Sequence, residues 1–388
     1  MDIGCMVIYG AGFVAHELVG YLKRCGQAEK IRCIFVTEKK GTPDSVGGIP
    51  VFEFQKDDKW AQVLFVVAVY GQKQAQIQRF LKDQGVSNVR GLTDHEISII
   101  TRENNYYFYK DVKPDRYQEE LVKWFSQRTG KALDLQNPVT FNEKIQWLKL
   151  YGDIPQMTKL TDKWLVRDWV GAKIGEEYQV QCYGVWRDFS EIDFTKLPDQ
   201  FILKCNHGCT WNMIVRDKSC FDQRKAQEQI SWWLKRNYAY YGGFELQYRD
   251  IVPRIMAEEY LENEEGELYD YKFWCFSGKV EFIMFLSNRE KGLKMDNYDR
   301  NWNHLPFTYD YPNSEKKMEK PEKLERMVEI AECLAAGFPF VRVDLYLLND
   351  GRIKFGEMTF TPANGVCKWS DPLVDSYLGE LIKLPVPK

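Results

Sequence analysis

Nowhere does the 388-residue chain run to eighteen consecutive apolar residues, the length a bilayer-spanning helix needs, so no span is expected. The N-terminus, Met1-Asp-Ile-Gly-Cys-Met-Val-Ile-Tyr-Gly10, lacks a basic region ahead of its short apolar run. It reads as a first strand and not as a secretory signal. An excess of positive charge is missing too. Lysine and arginine total 53 against 56 acids, net −3, which leaves no global basic field for nucleic acid or an anionic membrane. The ten cysteines are scattered without a Cys-x-x-Cys pair, which points to free thiols in a reducing cytoplasm. Cys205-Asn-His207-Gly-Cys209 comes nearest to a zinc site, but a second ligand pair is missing.

What is present is enough chain for two or three domains, each able to bury a core. Residues 5–9 are apolar, and Gly10-Ala-Gly12-Phe-Val-Ala15 opens an amphipathic helix through Lys23. Strands are expected at Ile31–Val36, Val63–Val69 and Val86–Leu92, with a helix over Gln72–Gln84. Strands alternating with helices imply a doubly wound sheet. The Gly10, Gly12 and Ala15 spacing fits a dinucleotide fingerprint loosely, and backbone amides there can hold a phosphate. Near residue 100 the texture becomes polar and aromatic, with Pro114 beyond. The expected domains are therefore 1–103 and 104–388, the second divided into a helical lead-in (104–160) and the remainder (161–388).

The most informative stretch is Phe340–Gly365. Asp350-Gly351 marks a two-residue hairpin turn, because both residues tolerate positive φ. Asn349 then pairs with Arg352, Asp344 faces Glu357, and Arg342 faces Thr359. Facing side chains lie about 4.5–5.5 Å apart at Cβ, where like charges repel. Two facing carboxylates call for a cation, and oxygen ligands suit Mg²⁺. The plain alternative is a half-buried hairpin with a solvated charged face.

Other segments supply complementary chemistry. Phe201-Ile-Leu-Lys204-Cys followed by Asn206-His207-Gly208-Cys-Thr210 reads as strand and polar loop, the form of a phosphate-covering flap. An outward lysine on an ordinary hairpin is the bland reading of the same residues. Thr140-Phe-Asn-Glu143 is a capping box, and Asp222 caps a further helix. Ile255–Leu261 is a strand ending in acids. Tyr269–Phe276 and Val280–Leu286 form a hairpin on which Lys272 shares a face with Asp270 and Trp274, and Asn288 and Arg289 end its second strand. Residues 292–320 are low in pattern and read as a loop over the site. Pro321–Ala336 is a helix.

Taken in order, these pieces resemble the TupA-like branch of the ATP-grasp enzymes, associated with teichuronopeptide and capsular polysaccharide synthesis. The stretches that carry this are Asn137–Trp147, Thr161–Arg167, Leu197–Gly208, Glu258-Glu-Tyr-Leu261 and Phe355–Gly365. The N-terminal piece is similar to the small Rossmann-like domains at the front of some sugar acetyltransferases, with Gly10 and Gly12 as ligand-binding positions. The implied fold class is α/β and α+β, a Rossmann-like sheet followed by an ATP-grasp fold.

The resemblance implies roles by position, with ATP and Mg²⁺ as cofactors. Lys163 and Lys204 would meet phosphates, together with the His207-Gly208 loop. Glu258, Glu259, Tyr260 and Leu261 would form the hinge that reads adenine through backbone groups, with Glu262 on the ribose. Arg342 would meet the transferring phosphate, with Lys272 and Arg289 as further catalytic residues. Asp344 and Glu357 would bind Mg²⁺, and Thr359 stands where most ATP-grasp enzymes carry an asparagine ligand. A substrate carboxylate would attack the γ-phosphate, and an amine would then displace phosphate to form an amide. The expected partners are a small-molecule sugar acid and an amine, with no nucleic acid and no membrane span. His207 is a candidate base by type and place, against a structural loop histidine. The alternatives are a glycosyltransferase of polysaccharide synthesis and a non-catalytic ATP-binding assembly module.

Overall fold

The computed structural model describes residues 5–262, 268–287, 292–315 and 317–385. The chain forms two compact units, Met1–Asp111 and Val112–Lys388.

In the first unit the apolar run becomes β1 (Met6–Tyr9), wholly buried, and α1 is Phe13–Arg24. β2 (Ile31–Val36), β3 (Ser45–Val46), β4 (Ile49–Glu53), β5 (Leu64–Val67), α2 (Gln72–Asp83), β6 (Val89–Gly91) and α3 (Asp94–Tyr109) follow. The sheet order is β3-β4-β2-β1-β5-β6, parallel apart from β3. Continuous burial of β1 and β5 is what helices on both faces require.

Two features depart from the sequence reading. The β3–β4 hairpin was not foreseen; Gly47 and Gly48 supply its two positive φ values, 56° and 76°. The polar-aromatic run after residue 100, near which the sequence places the domain boundary, forms the second half of α3. Its cap is a Thr93/Glu96 box, and it buries Tyr106 and Tyr109, so the division between units falls beyond it.

The second unit opens with α4 (Tyr117–Thr129), α5 (Phe141–Tyr151), α6 (Ile154–Thr161) and α7 (Val166–Ile174). The Thr140 box caps α5: Thr140 Oγ1 accepts from Glu143 N at 3.3 Å and Glu143 Oε2 accepts from Thr140 N at 2.9 Å. Next come β7 (Cys182–Trp186), β8 (Phe201–Cys205), β9 (Asn212–Val215), α8 (Gln223–Leu234) and β10 (Ile255–Glu259). The four strands pair in the order β7-β10-β8-β9. β11 (Asp270–Phe276), β12 (Lys279–Ser287), β13 (Lys294–Asp299), β14 (His304–Leu305), α9 (Leu324–Ala335), β15 (Phe340–Leu347), β16 (Ile353–Thr359) and α10 (Pro372–Leu381) complete the chain.

The larger sheet runs β14-β13-β12-β11-β15-β16, antiparallel throughout. One of its faces is apolar. Phe273, Ile283, Val341, Val343 and Leu345 pack there with Met327, Ala331 and Leu334 of α9. The alternation that buries Val341, Val343 and Leu345 on this side places Arg342 and Asp344 on the other.

Residues 292–320 are not a loop throughout, since β13 and β14 extend the sheet. Their pattern is hidden because Asp296 and Asn297 are fully buried. Asp296 accepts from Ser314 Oγ and Ser314 N and pairs with His304, so a charge occupies a core position.

Candidate active site

The site is built on three neighbouring strands. On β11–β15, Lys272 pairs with Asp344 and Asp270 with Tyr346; on β15–β16, Asp344 pairs with Glu357 and Arg342 with Thr359. The facing acids expected from sequence are thus face to face, but they reach that pairing by a different route. The turn is not two residues long. Leu348 N donates to Arg352 O and Gly351 N to Leu348 O, with Gly351 alone left-handed at φ 79°. This is a three-residue loop, and it pairs Leu347 with Ile353. A bulge between Asp344 and Leu345 then passes over Gly356. A one-residue slip turns a strand's side chains to the other face. The bulge residue therefore returns Glu357 to the face of Asp344.

The cation between the acids is, first of all, Arg342. Its Nε donates to Asp344 Oδ1 and its Nη2 to Asp344 Oδ2, both at 2.7 Å. The same Nη2 reaches Glu357 Oε1 at 3.1 Å and Thr359 Oγ1 at 3.0 Å. Lys272 Nζ lies 2.5 Å from Asp344 Oδ2 and 2.7 Å from Asp270 Oδ2. Burial raises the Asp344 carboxyl, but Arg342 and Lys272 outweigh it and hold the group below its ordinary range. Burial likewise works against the charge of Lys272. Asp270 and Asp344 overcome it and hold the ammonium above its usual range.

Among the described residues no group of three or more His, Cys, Asp or Glu side chains is placed to hold a metal. The donor chemistry at Asp344, Glu357 and Thr359 nevertheless suits a hard cation. Asp344 has about four acceptor positions, of which Arg342 and Lys272 take three. The Glu357 side chain is 35% exposed, so its carboxylate remains open to an incoming group.

The phosphate-facing candidates lie on the other sheet and the segments beside it. Lys163 Nζ donates to the Gly208 carbonyl at 2.6 Å. The loop from Asn206 is anchored at its base: Asn206 Nδ2 donates to Asp162 Oδ1 at 2.9 Å and to Val252 O at 3.0 Å, and Arg254 N donates to Asn206 Oδ1. Gly208 has a packing reason to be glycine, since a Cβ would stand 2.3 Å from the Trp211 ring. Burial raises the Cys209 thiol, and Glu357, Lys163, Glu245 and Arg342 all act on it. Lys163 and the loop tip are therefore held against each other.

Lys204, on β8, binds Glu258 Oε2 at 2.5 Å, and Arg167 approaches Glu258 Oε1 at 3.5 Å. Beyond the end of β10, Leu261 packs with Leu348 and Tyr346 of the hairpin, which brings the two sheets together at this point.

The surroundings of His207, Glu258 and Glu259 bear on their expected roles. His207 is 2% exposed, with Nε2 3.1 Å from Trp233 O and its ring edge-on to Trp211. Burial lowers it to about 4, which fits the structural loop histidine weighed against the base. Glu258 and Glu259 lie within β10, which is paired on both sides. Tyr260, Leu261 and Glu262 continue the chain past the end of β10. Arg289 lies outside the described residues. At the N-terminus, Gly10 (φ 114°) has no room for a Cβ beside Val69 and Ala68 O, whereas Gly12 caps α1 in open space. Both glycines follow β1, and Gly10 packs against Ala68 and Val69 just past β5, where the order of the parallel strands reverses.

Residues not assigned from sequence also belong to the site: Arg167 on Glu258, Asp270 on Lys272, and Glu245, which accepts from Thr361 Oγ1 at 2.6 Å. Asp270 carried a signal, since it shares a strand face with Lys272. Arg167 and Glu245 carried none, because their partners are remote in sequence.

The TupA-like ATP-grasp family model matches residues 143–383. No curated protein matches the chain significantly. Among solved structures, it is similar to N5-carboxyaminoimidazole synthetase from Staphylococcus aureus complexed with ADP, at 11% identity and TM-score 0.37, covering 94% of this chain and 72% of that one. N5-carboxyaminoimidazole synthase from Aspergillus clavatus, in complex with ADP and its aminoimidazole ribonucleotide, matches at 12% and 0.36, covering 100% and 78%. The ATP-grasp ligase PsnB with minimal precursor, Mg and ADP matches at 10% and 0.31, covering 92% and 88%.

Proposed function

The chain belongs to the TupA-like ATP-grasp family, ATP-dependent ligases as a class, and on that premise we propose that it joins a carboxylate to an amine through an acyl phosphate. The acid is a uronic-acid or other acidic precursor of a surface polysaccharide, and the enzyme works in the cytoplasm. The carrying observation is the facing pair Asp344 and Glu357, bridged by Arg342 and backed by Lys272. A protein that merely bound ATP would gain nothing from packing three acids and two cations on one sheet face.

ATP and Mg²⁺ are the cofactors. Asp344 and Glu357, with Thr359 beside them, would hold Mg²⁺. When bound, the ion neutralises charge on the β- and γ-phosphates. Lys163, Lys204 and the Gly208 loop meet the phosphates. Tyr260–Glu262 border the adenosine. The substrate carboxylate attacks the γ-phosphorus, and the bond to ADP breaks. Arg342, no longer held only by the acids, faces the charge spread over the transferring phosphoryl group. The amine then attacks the acyl carbon and phosphate leaves with its electron pair, while the amine proton passes to a neighbouring base.

The test is ADP and phosphate release across a panel of acidic sugars and amines under Mg²⁺. Release requiring both partners supports the ligase. Release from a nucleotide-sugar without ATP would replace it with a glycosyltransferase, and no turnover with any pair would defeat it.

Among the described residues no helix is long and apolar enough to cross a membrane.

A further inference from the structure

Lys149 on α5 has no exposed surface, yet it is a lysine. Its ammonium lies 4.7 Å from the centre of the Trp124 ring. It donates to Gln146 Oε1 at 2.9 Å, to the Asn364 carbonyl at 2.7 Å, and to Asn364 Oδ1. Burying an ammonium is unfavourable by several kcal/mol unless its partners are well placed, so the position must need this charge for a specific purpose.

What the ammonium grips is the turn after β16. Ala363 (φ 45°), Asn364 (φ 57°) and Gly365 (φ 66°) are three successive left-handed residues. For Ala363 that conformation is unfavourable by about 1–2 kcal/mol, while asparagine adopts it more readily. Strain of this kind persists only where the surroundings over-determine it, and here they do. Gln146 Nε2 donates to the carbonyls of Asn364 and Gly365 at 3.1 and 2.7 Å, and Asn364 Nδ2 donates to Gly242 O at 2.7 Å. A Cβ on Gly365 would stand 2.4 Å from Gln146 Nε2.

The turn directly follows the site strand. Thr361 Oγ1 donates to Glu245 Oε1 at 2.6 Å and accepts from Gln247 Nε2 at 2.7 Å. Glu245 and Glu357 both act on Cys209 and on the buried Tyr248 hydroxyl. Thr361 stands two residues past Thr359, which bonds Arg342 and Glu357, so the carboxylate held by Thr361 lies next along the chain from the carboxylate cluster.

We infer that Lys149 is a positioning residue for the amide-forming half-reaction: it locks the turn Ala363–Gly365 so that Thr361 and Glu245 border the dock of the incoming amine. Glu245 is complementary to an ammonium, the form in which an amine arrives at neutral pH. The inference rests on the ligase reading. Burial depresses Lys149 and Glu245, the charged group acting on it, offsets part of this, leaving it at about 7. Loss of its proton removes a donor from the turn, so turnover should decline above that pH.

The test compares wild type with Lys149→Met, Lys149→Arg and Lys149→Met/Ala363→Gly. A displacement of about 1 Å is worth about 100-fold, and Lys149→Met should lose that much in kcat/KM for the amine. Mg·ADP affinity should hold within about twofold, since Lys149 touches none of the phosphate-facing residues. Amide exchange over residues 361–366 should rise selectively, and Ala363→Gly should recover part of the loss by relieving a left-handed alanine. The decline above about pH 7 should vanish in Lys149→Arg, which stays charged. Unchanged exchange over 361–366, exchange that rises equally on β11 and β15, or a pH decline that persists in Lys149→Arg would overturn the inference. If Lys149→Met does not fold, the Lys149→Arg pH profile decides it. If wild type turns over no acid–amine pair, the ligase reading has failed and the exchange measurement alone decides the role of Lys149.

Discussion

Asp344 and Glu357 face each other, yet neutralising them should cost very different amounts of stability. Asp344 is fully buried and accepts three charge-assisted hydrogen bonds from Arg342 and Lys272, at 2.7, 2.7 and 2.5 Å. Asparagine keeps the shape but offers one oxygen, and its amide nitrogen points a donor at a donor. Breaking a buried ion pair on one side typically destabilises by about 3–5 kcal/mol. In a unit of this size, that is a melting shift of roughly 6–20 °C. The Glu357 side chain is 35% exposed and shares one oxygen with Arg342, so Glu357→Gln should cost about 1 kcal/mol or less. Both variants should lose turnover. Urea unfolding followed by tryptophan fluorescence separates them. Equal stability losses, or Asp344→Asn costing under about 1 kcal/mol, would refute the reasoning that Asp344 balances two buried cations.

Two further outcomes follow from particular residues. His207 has its proton affinity lowered from 6.5 to about 4 in the folded chain; between those values the unfolded chain binds more protons, so stability should fall as pH drops from 6.5 toward 4. That span is worth up to about 3 kcal/mol, and urea midpoints across it should flatten in His207→Gln relative to wild type. In the hairpin, only Gly351 is left-handed, so Gly351→Ala should cost about 1–2 kcal/mol in thermal unfolding. Asp350→Ala should cost clearly less, since its pair with Arg352 is exposed. Equal costs would restore the two-residue turn.

The site was legible where chemistry and parity coincide. The alternation of Val341–Leu347 announces which face Arg342 and Asp344 occupy, and the capping residues Thr140 and Asp222 mark their helices. The pairing of Asp344 with Glu357 was legible in its outcome but not in its cause. One extra residue in the loop and one in the bulge at Gly356 compensate, and hydrophobic pattern records neither. Elements with buried polar residues were hidden for a different reason. Asp296 and Asn297 look like surface residues until Ser314 and His304 are seen beside them. Lys149 shows the same limit, since nothing local distinguishes a fully buried lysine from the exposed lysines of other helices. The need for a cation between the acids was sound physics, but the first cations to meet it are Arg342 and Lys272, supplied by the chain itself.

The most direct test of the central claim, that this carboxylate pair holds the ion bridging to the triphosphate, is calorimetric titration of ATP with and without Mg²⁺. Wild type and Glu357→Gln are compared. Mg²⁺ should tighten ATP binding by about tenfold or more in wild type, about 1.4 kcal/mol. In Glu357→Gln that gain should be lost while metal-free affinity is kept. A variant that retains the full Mg²⁺ dependence, or a wild type that shows none, would contradict it.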